Sequence, residues 1–312
     1  VTEPDTPLND AYHVGSFLFT GEATMSKKQQ RPLTVSEQIE NLKQLNLQID
    51  NEALAAQFLN HVSYFRFIKA YSLGLKPRNG CYSGSVSFEH LVDLYEFNTE
   101  FRQLLFPQIE KIEITLRCRL SNYFCVTYGV LGYQDPQNFS SSVFHHSFMQ
   151  EAQNEINRNR RAPFIKNFQE NYEDSAIPFY ALVEIFSFGT LSKFFKNLKN
   201  PDKTAIASTY QAPFPYFESW IESISYVRNI CAHYGRLYNT KLTKKPKLYK
   251  EDQIVGVSNE RIFGVLCCMK HLLAEDTSWE EFLSNIDALF QKHPKTDIKT
   301  MGFPQNWKDI LK

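Results

Sequence analysis

Arg228, Asn229 and His233 form the string Arg-Asn-Ile-Cys-Ala-His, and their residue types suit acid–base work on a phosphodiester. An imidazole with an ordinary pKa of ~6.5 can take or give a proton at neutral pH. A guanidinium can hold a phosphate and offset charge growing on its oxygens. The asparagine can fix the imidazole or bind ribose or phosphate. Together these groups fit attack of a ribose 2′-hydroxyl on the adjacent phosphate. The sequence offers no carboxylate cluster suited to Mg²⁺, so neither a metal nor a cofactor is expected. On a helix Asn229 and His233, four apart, share a face. Arg228 lies five before His233, roughly 140° round the axis, so its side chain must bend toward the imidazole or reach a neighbouring chain. The reaction wants an acid and a base, and each chain supplies one such histidine. Two copies about a two-fold axis would supply both, which predicts a homodimer.

The surroundings point the same way. Residues 223–250 contain no Asp or Glu but include Arg228, Arg236, Lys241, Lys244, Lys245, Lys247 and Lys250, in a chain whose formal net charge is zero. Positive charge gathered beside one histidine suits phosphate. Arg236, Lys241, Lys244 and Lys245 are therefore candidate RNA contacts, although Arg236 is equally well read as a solvated residue. Tyr234, Tyr238 and Tyr249 interleave the charges, and such rings can stack on unpaired bases; Tyr234 is the nearest candidate. Glu110, Glu113 and Arg117 lie together on another predicted helix. Glu113 and Arg117 are spaced for an i,i+4 salt bridge, and either glutamate could orient Arg228 or His233 from that helix, with Arg102 in a similar role. Glu184, in an apolar segment, is expected to be buried and paired. His145 and His146 are expected in a loop; with no third ligand they make a weak metal site. The other histidines considered (His61, His90, His271 and His293) read as ordinary.

The elements that must carry these residues are helical. The hydrophobic fraction of 43% supports a real core and argues against disorder. Thr34-Val35-Ser36-Glu37 is a capping box. Helices are expected near 51–60, 62–75, 88–106 and 107–128, with Pro107 kinking one long helix or opening the next. Residues 129–147 read as a loop. Further helices are expected near 147–160, 163–173, 178–188, 190–199, 202–209, 215–234, 259–274 and 278–291. Gly235 is the expected stop of the 215–234 helix, and Ser278 the expected cap of the last. The fold class is all-α: a helical bundle at 87–312 with a basic loop at 236–258, and an N-terminal helical lobe at 26–86. Residues 1–24 lack helical periodicity and Met25-Ser26-Lys27-Lys28 resembles a natural start, so 1–25 is expected to be a disordered extension. Cysteines without a C-x-x-C pair, several on apolar stretches, suggest buried thiols in a reducing, cytoplasmic setting. No apolar run is long enough to span a membrane.

The R-N-x-x-x-H string resembles the signature of HEPN ribonucleases, and the longer VRNICAHYGRLYN resembles the Abi-like abortive-infection proteins of bacteria, the AbiD/AbiF type. FLNHVSYFRFIKAY, LYEFNTEFRQLLFPQIEKIEITLRCRLSNYF and PFYALVEIFSFGTLSKFFKNL resemble three further segments of that family in the right order. The resemblance covers about residues 32–240. It implies a HEPN-type helical bundle, RNA cleavage, dimerisation and a place in phage defence or a toxin–antitoxin system. Tyr64 and Arg66 fall in the early segment as packing and hydrogen-bonding residues. The resemblance also admits a small RNA as partner; no DNA partner is expected. Two other readings stand beside the endoribonuclease: an RNA-binding component of a ribonucleoprotein, catalytically idle or repressed, and a purely structural adaptor.

Overall fold

Thr34 opens the first helix with the reciprocal bonds its spacing promises: its hydroxyl accepts from the Glu37 N–H, and the Glu37 carboxylate accepts from the Thr34 N–H at 2.8 Å. The computed structural model describes residues 31–76, 80–172, 175–274 and 276–312. The expected extension at 1–25 lies outside the described residues. The helices are α1 (Val35–Gln44), α2 (Glu52–His61), α3 (Phe88–Tyr128), α4 (Ser142–Arg158), α5 (Pro163–Asn171), α6 (Phe179–Leu182), α7 (Phe188–Asn197), α8 (Asn200–Ser208), α9 (Phe214–Ala232), α10 (Lys250–Ile254), α11 (Ile262–Leu272), α12 (Ser278–Lys292) and α13 (Trp307–Leu311). Among the described residues there is no strand, only two isolated bridges. The fold is an all-α helical bundle. No helix among these residues is long and apolar enough to cross a membrane.

The long helix α3 is the spine. It runs 41 residues unbroken through Pro107, so the proline does not open a second helix. Pro107 is exposed, so its ring and the carbonyl it leaves unpaired face water. On the opposite side Leu91, Leu94, Phe101, Leu105, Ile109, Leu116, Leu120 and Phe124 are all fully buried. Each such side chain contributes about 1.5–3 kcal/mol on burial, enough together to outweigh one proline in an exposed turn.

Helix α9 crosses this spine and packs also on α7, α8 and α11. Its Trp220, Ile221, Ile224 and Val227 are fully buried. The Trp220 indole donates to the Lys247 carbonyl at 2.7 Å, which ties the following loop back onto the helix. A single hydrophobic cluster runs from Ile39 in α1 to Leu311 in α13.

Several expectations are corrected. The helix expected at 62–75 is shorter, over 64–71, and widens into a π-helical turn at Phe65–Lys69. Phe67 and Ile68 turn inward there, and Phe65, Arg66 and Lys69 outward. The 129–147 loop holds two 3₁₀ turns and the start of α4, so His145 and His146 are helical. His145 is buried with its Nε2 2.9 Å from the Tyr133 carbonyl, and no cluster of His, Cys, Asp or Glu suited to a metal occurs among the described residues. The 178–188 helix breaks at Phe186 between α6 and α7, and Glu184 is exposed rather than buried. Thr277, not Ser278, precedes α12, and the Asp276 carboxylate accepts the Ser278 N–H. The 236–258 loop contains the short α10. Cys231, Cys267 and Cys268 are buried thiols, but Cys118 is exposed.

Candidate functional site

Helix α9 ends in a Schellman motif. The Gly235 N–H bonds the Ile230 carbonyl at 2.7 Å, and the Tyr234 N–H bonds the Cys231 carbonyl at 3.2 Å. The left-handed residue is Tyr234, with φ +58°, and not the glycine expected there. Gly235 is needed for a different reason. A Cβ at that position would lie 2.8 Å from Ile230 Cγ2 and 3.1 Å from its carbonyl. His233 is thus the C-cap residue, with its N–H on the Asn229 carbonyl at 3.0 Å. Its imidazole is exposed and meets no side-chain partner among the described residues. Asn229 is half-buried one turn behind it.

Arg228 leaves α9 toward α3. Its Nε sits 3.4 Å from Glu113 Oε2, an ion-pair contact without the geometry of a directed hydrogen bond, and its guanidinium lies 5.9 Å from the Phe106 ring centroid. Glu113 also pairs with Arg117 at 2.9 Å. Arg117 in turn donates to the carbonyls of Val183 and Phe186 at the α6–α7 break. One carboxylate is therefore shared by two guanidinia. The trio keeps a net positive charge, and the Arg228 side chain remains 30% exposed with both Nη groups unengaged by the described residues. Glu110 is exposed and takes no part.

The turn after His233 is held from three directions. Buried Asn98 on α3 accepts from the Leu237 N–H at 2.8 Å and the Tyr238 N–H at 3.0 Å, and donates to the Gly235 carbonyl at 3.3 Å. Arg66, on the π-helical turn, donates to the Tyr234 carbonyl at 2.8 Å. Arg102 is buried, donates to the Cys231 carbonyl at 3.4 Å, and places its guanidinium 5.8 Å from the Tyr234 ring.

Residues 57–239 match the family model described as Abi-like protein, more than half of the chain. The chain belongs to the Abi-like family. Membership carries an abortive-infection-type function. No curated protein and no solved structure matches the chain. The four segments that carried the resemblance meet in this one place: Arg66 from the first, Asn98, Arg102, Glu113 and Arg117 from the second, the Val183 and Phe186 carbonyls from the third, and Arg228 to Tyr238 from the fourth.

The remaining candidates of this Abi-like chain are placed differently from their sequence reading. Arg236 turns inward, half-buried, and donates to the Ala70 carbonyl, and desolvation pushes its pKa down. Lys241 and Lys245 pair with Glu260 at 3.2 and 2.7 Å, and Lys244 with Glu222 at 3.0 Å. A stretch free of acids in sequence is thus partly neutralised in space. Tyr238 is buried, and Tyr249 packs on Tyr216, Trp220 and His271. Of the three tyrosines only Tyr234 is exposed, at 70%. Sequence reasoning missed Asn98. The signal available was an amide beside Phe97 in the apolar stripe Leu94, Phe97, Phe101.

Proposed function

We propose that this Abi-like protein is a HEPN-type, metal-independent endoribonuclease whose site is completed by a second copy of the chain. The observation that carries the reading is the exposed His233 imidazole at the end of α9, without a side-chain partner among the described residues, on the same helix as an Arg228 guanidinium that Glu113 steadies without neutralising. One imidazole takes the proton of a ribose 2′-hydroxyl, whose oxygen bonds to the adjacent phosphorus. The bond from phosphorus to the 5′ oxygen breaks, and that oxygen receives a proton from the second copy's imidazole. The products are a 2′,3′-cyclic phosphate and a 5′-hydroxyl. Arg228 offsets the charge building on the phosphate oxygens, and Asn229, one turn behind His233, binds the ribose or phosphate. A toxin–antitoxin or phage-defence setting in the cytoplasm fits such an activity.

The test is incubation of the purified full chain with labelled single-stranded RNA in EDTA. Cleavage that leaves cyclic phosphate ends and is lost in His233→Ala is the expected result. Cleavage retained by His233→Ala would overturn the proposal. Equal RNA binding by both proteins with no cleavage would make the chain an RNA-binding component instead.

A further inference from the structure

Positive charge without a carboxylate partner among the described residues gathers at the turn after His233, where Arg66 and Arg102 hold the Tyr234 and Cys231 carbonyls. Arg66, Lys69 and Arg102 make no ion pair among the described residues, whereas Lys241 and Lys245 share Glu260 and Lys244 pairs with Glu222, leaving Lys247 and Lys250 of that run without one. Arg66 and Lys69 project from the π-helical turn at Phe65–Lys69. Such turns widen the helix and are frequent at functional sites. Phe65 on the same turn is 74% exposed. Its neighbours Phe67 and Ile68 are buried, so folding has used the inward side of the turn and left a full phenyl ring in water. The Arg66 guanidinium donates to the Tyr234 carbonyl at 2.8 Å, which ties the turn that carries Phe65 to the segment that carries the exposed Tyr234. Tyr234 is held in a left-handed conformation that costs a non-glycine residue about 1 kcal/mol, and its outer face is free.

We infer that Phe65, Lys69 and Tyr234, joined by Arg66, form a base-stacking platform for single-stranded RNA that carries the strand away from His233. Two exposed rings with unpaired cations between and beside them are what an unstacked strand requires: faces for its bases and charge for its phosphates. This inference rests on the ribonuclease reading. It moves the strand's path from the 241–245 lysines to the N-terminal segment.

The experiment uses the full chain carrying His233→Ala, so that RNA is not consumed, and a fluorescent oligouridine followed by anisotropy at several salt concentrations. Phe65→Ala is expected to weaken binding about tenfold. Lys69→Ala should reduce the slope of log affinity against log salt by roughly 0.7. Tyr234→Asn, which suits the left-handed backbone, should weaken binding as Phe65→Ala does while leaving the unfolding midpoint in place. Lys241→Ala/Lys245→Ala should weaken binding less than Phe65→Ala does, since Glu260 already offsets part of their charge. Affinity that follows the lysine pair and ignores Phe65 and Tyr234 would overturn the platform while leaving the cleavage proposal standing. No RNA affinity in the parent would overturn the platform as well, and cleavage by the unmutated chain in EDTA then decides the ribonuclease reading separately.

Discussion

Glu113 sits between two guanidinia, and its position decides what each can do. Arg117 spends its donors on Glu113 and on two backbone carbonyls at a helix break, so it acts as an anchor. Arg228 touches the same carboxylate at 3.4 Å and keeps the rest of its fork free. A carboxylate bound to Arg228 alone would cancel the charge that phosphate needs. Shared, it fixes the direction of the side chain at half that electrostatic cost. Glu113→Gln is therefore expected to lower kcat for RNA cleavage by on the order of 100-fold, because a slightly misplaced guanidinium no longer meets the transition state. Glu113→Ala should in addition destabilise the fold by about 3 kcal/mol, since it leaves partly buried guanidinia without their counter-charge. Steady-state kinetics beside urea unfolding of both variants checks this. An unchanged kcat in Glu113→Gln would remove Glu113 from the site.

Helix α9 delivers His233 through the way it stops. Its last turn closes with two backbone bonds, a left-handed tyrosine and a glycine that leaves no room for a methyl group beside Ile230. The chain beyond is then fastened to α3 by a single amide, Asn98, which serves two N–H groups and one carbonyl. Leu237 and Tyr238 are buried, so losing their acceptor leaves two donors without water or protein to bond. Asn98→Ala is expected to cost about 2–4 kcal/mol in urea unfolding and to reduce cleavage in the folded fraction. Asn98→Ala with wild-type stability would mean that Arg66 and Arg236 hold the turn without it. The stop of α9 was only half legible in the sequence. Gly235 pointed to a helix end, but whether the left-handed residue is the glycine or its neighbour depends on which carbonyl the next N–H can reach. The fate of Pro107 was open for a similar reason: a proline breaks a helix only when packing on the other side is too weak to hold it.

The four segments that identify the family are spread over residues 58 to 239 and converge around one helix end. The proposed chemistry divided between two chains rests on the one R-N-x-x-x-H histidine, His233, that each chain supplies. If each site needs an imidazole from both chains, mixed dimers of wild type and His233→Ala are inactive. Activity after co-refolding should then fall as the square of the wild-type fraction, and a linear fall would show that each chain works alone. Light scattering on the parent should report twice the chain mass of 36.4 kDa.

Helical class, the capping box, the R-N-x-x-x-H string and the family resemblance were all readable from the residues, because each is a local pattern of types at fixed spacing. The pairing of Glu113 rather than Glu110 with Arg228 was not, since both glutamates sit one turn apart on α3 and only the crossing of α9 selects between them. Nor was the electrostatic surface. Residues 241–245 look uniformly basic along the chain, yet Glu222 from α9 and Glu260 from the approach to α11 come back to meet them. Arg236 was open to phosphate contact or solvation on its sequence, and it is half-buried with its guanidinium on the Ala70 carbonyl. Charge acts through space with a reach of several ångströms, so its balance at a site is decided by which distant segments the packing of the core brings together.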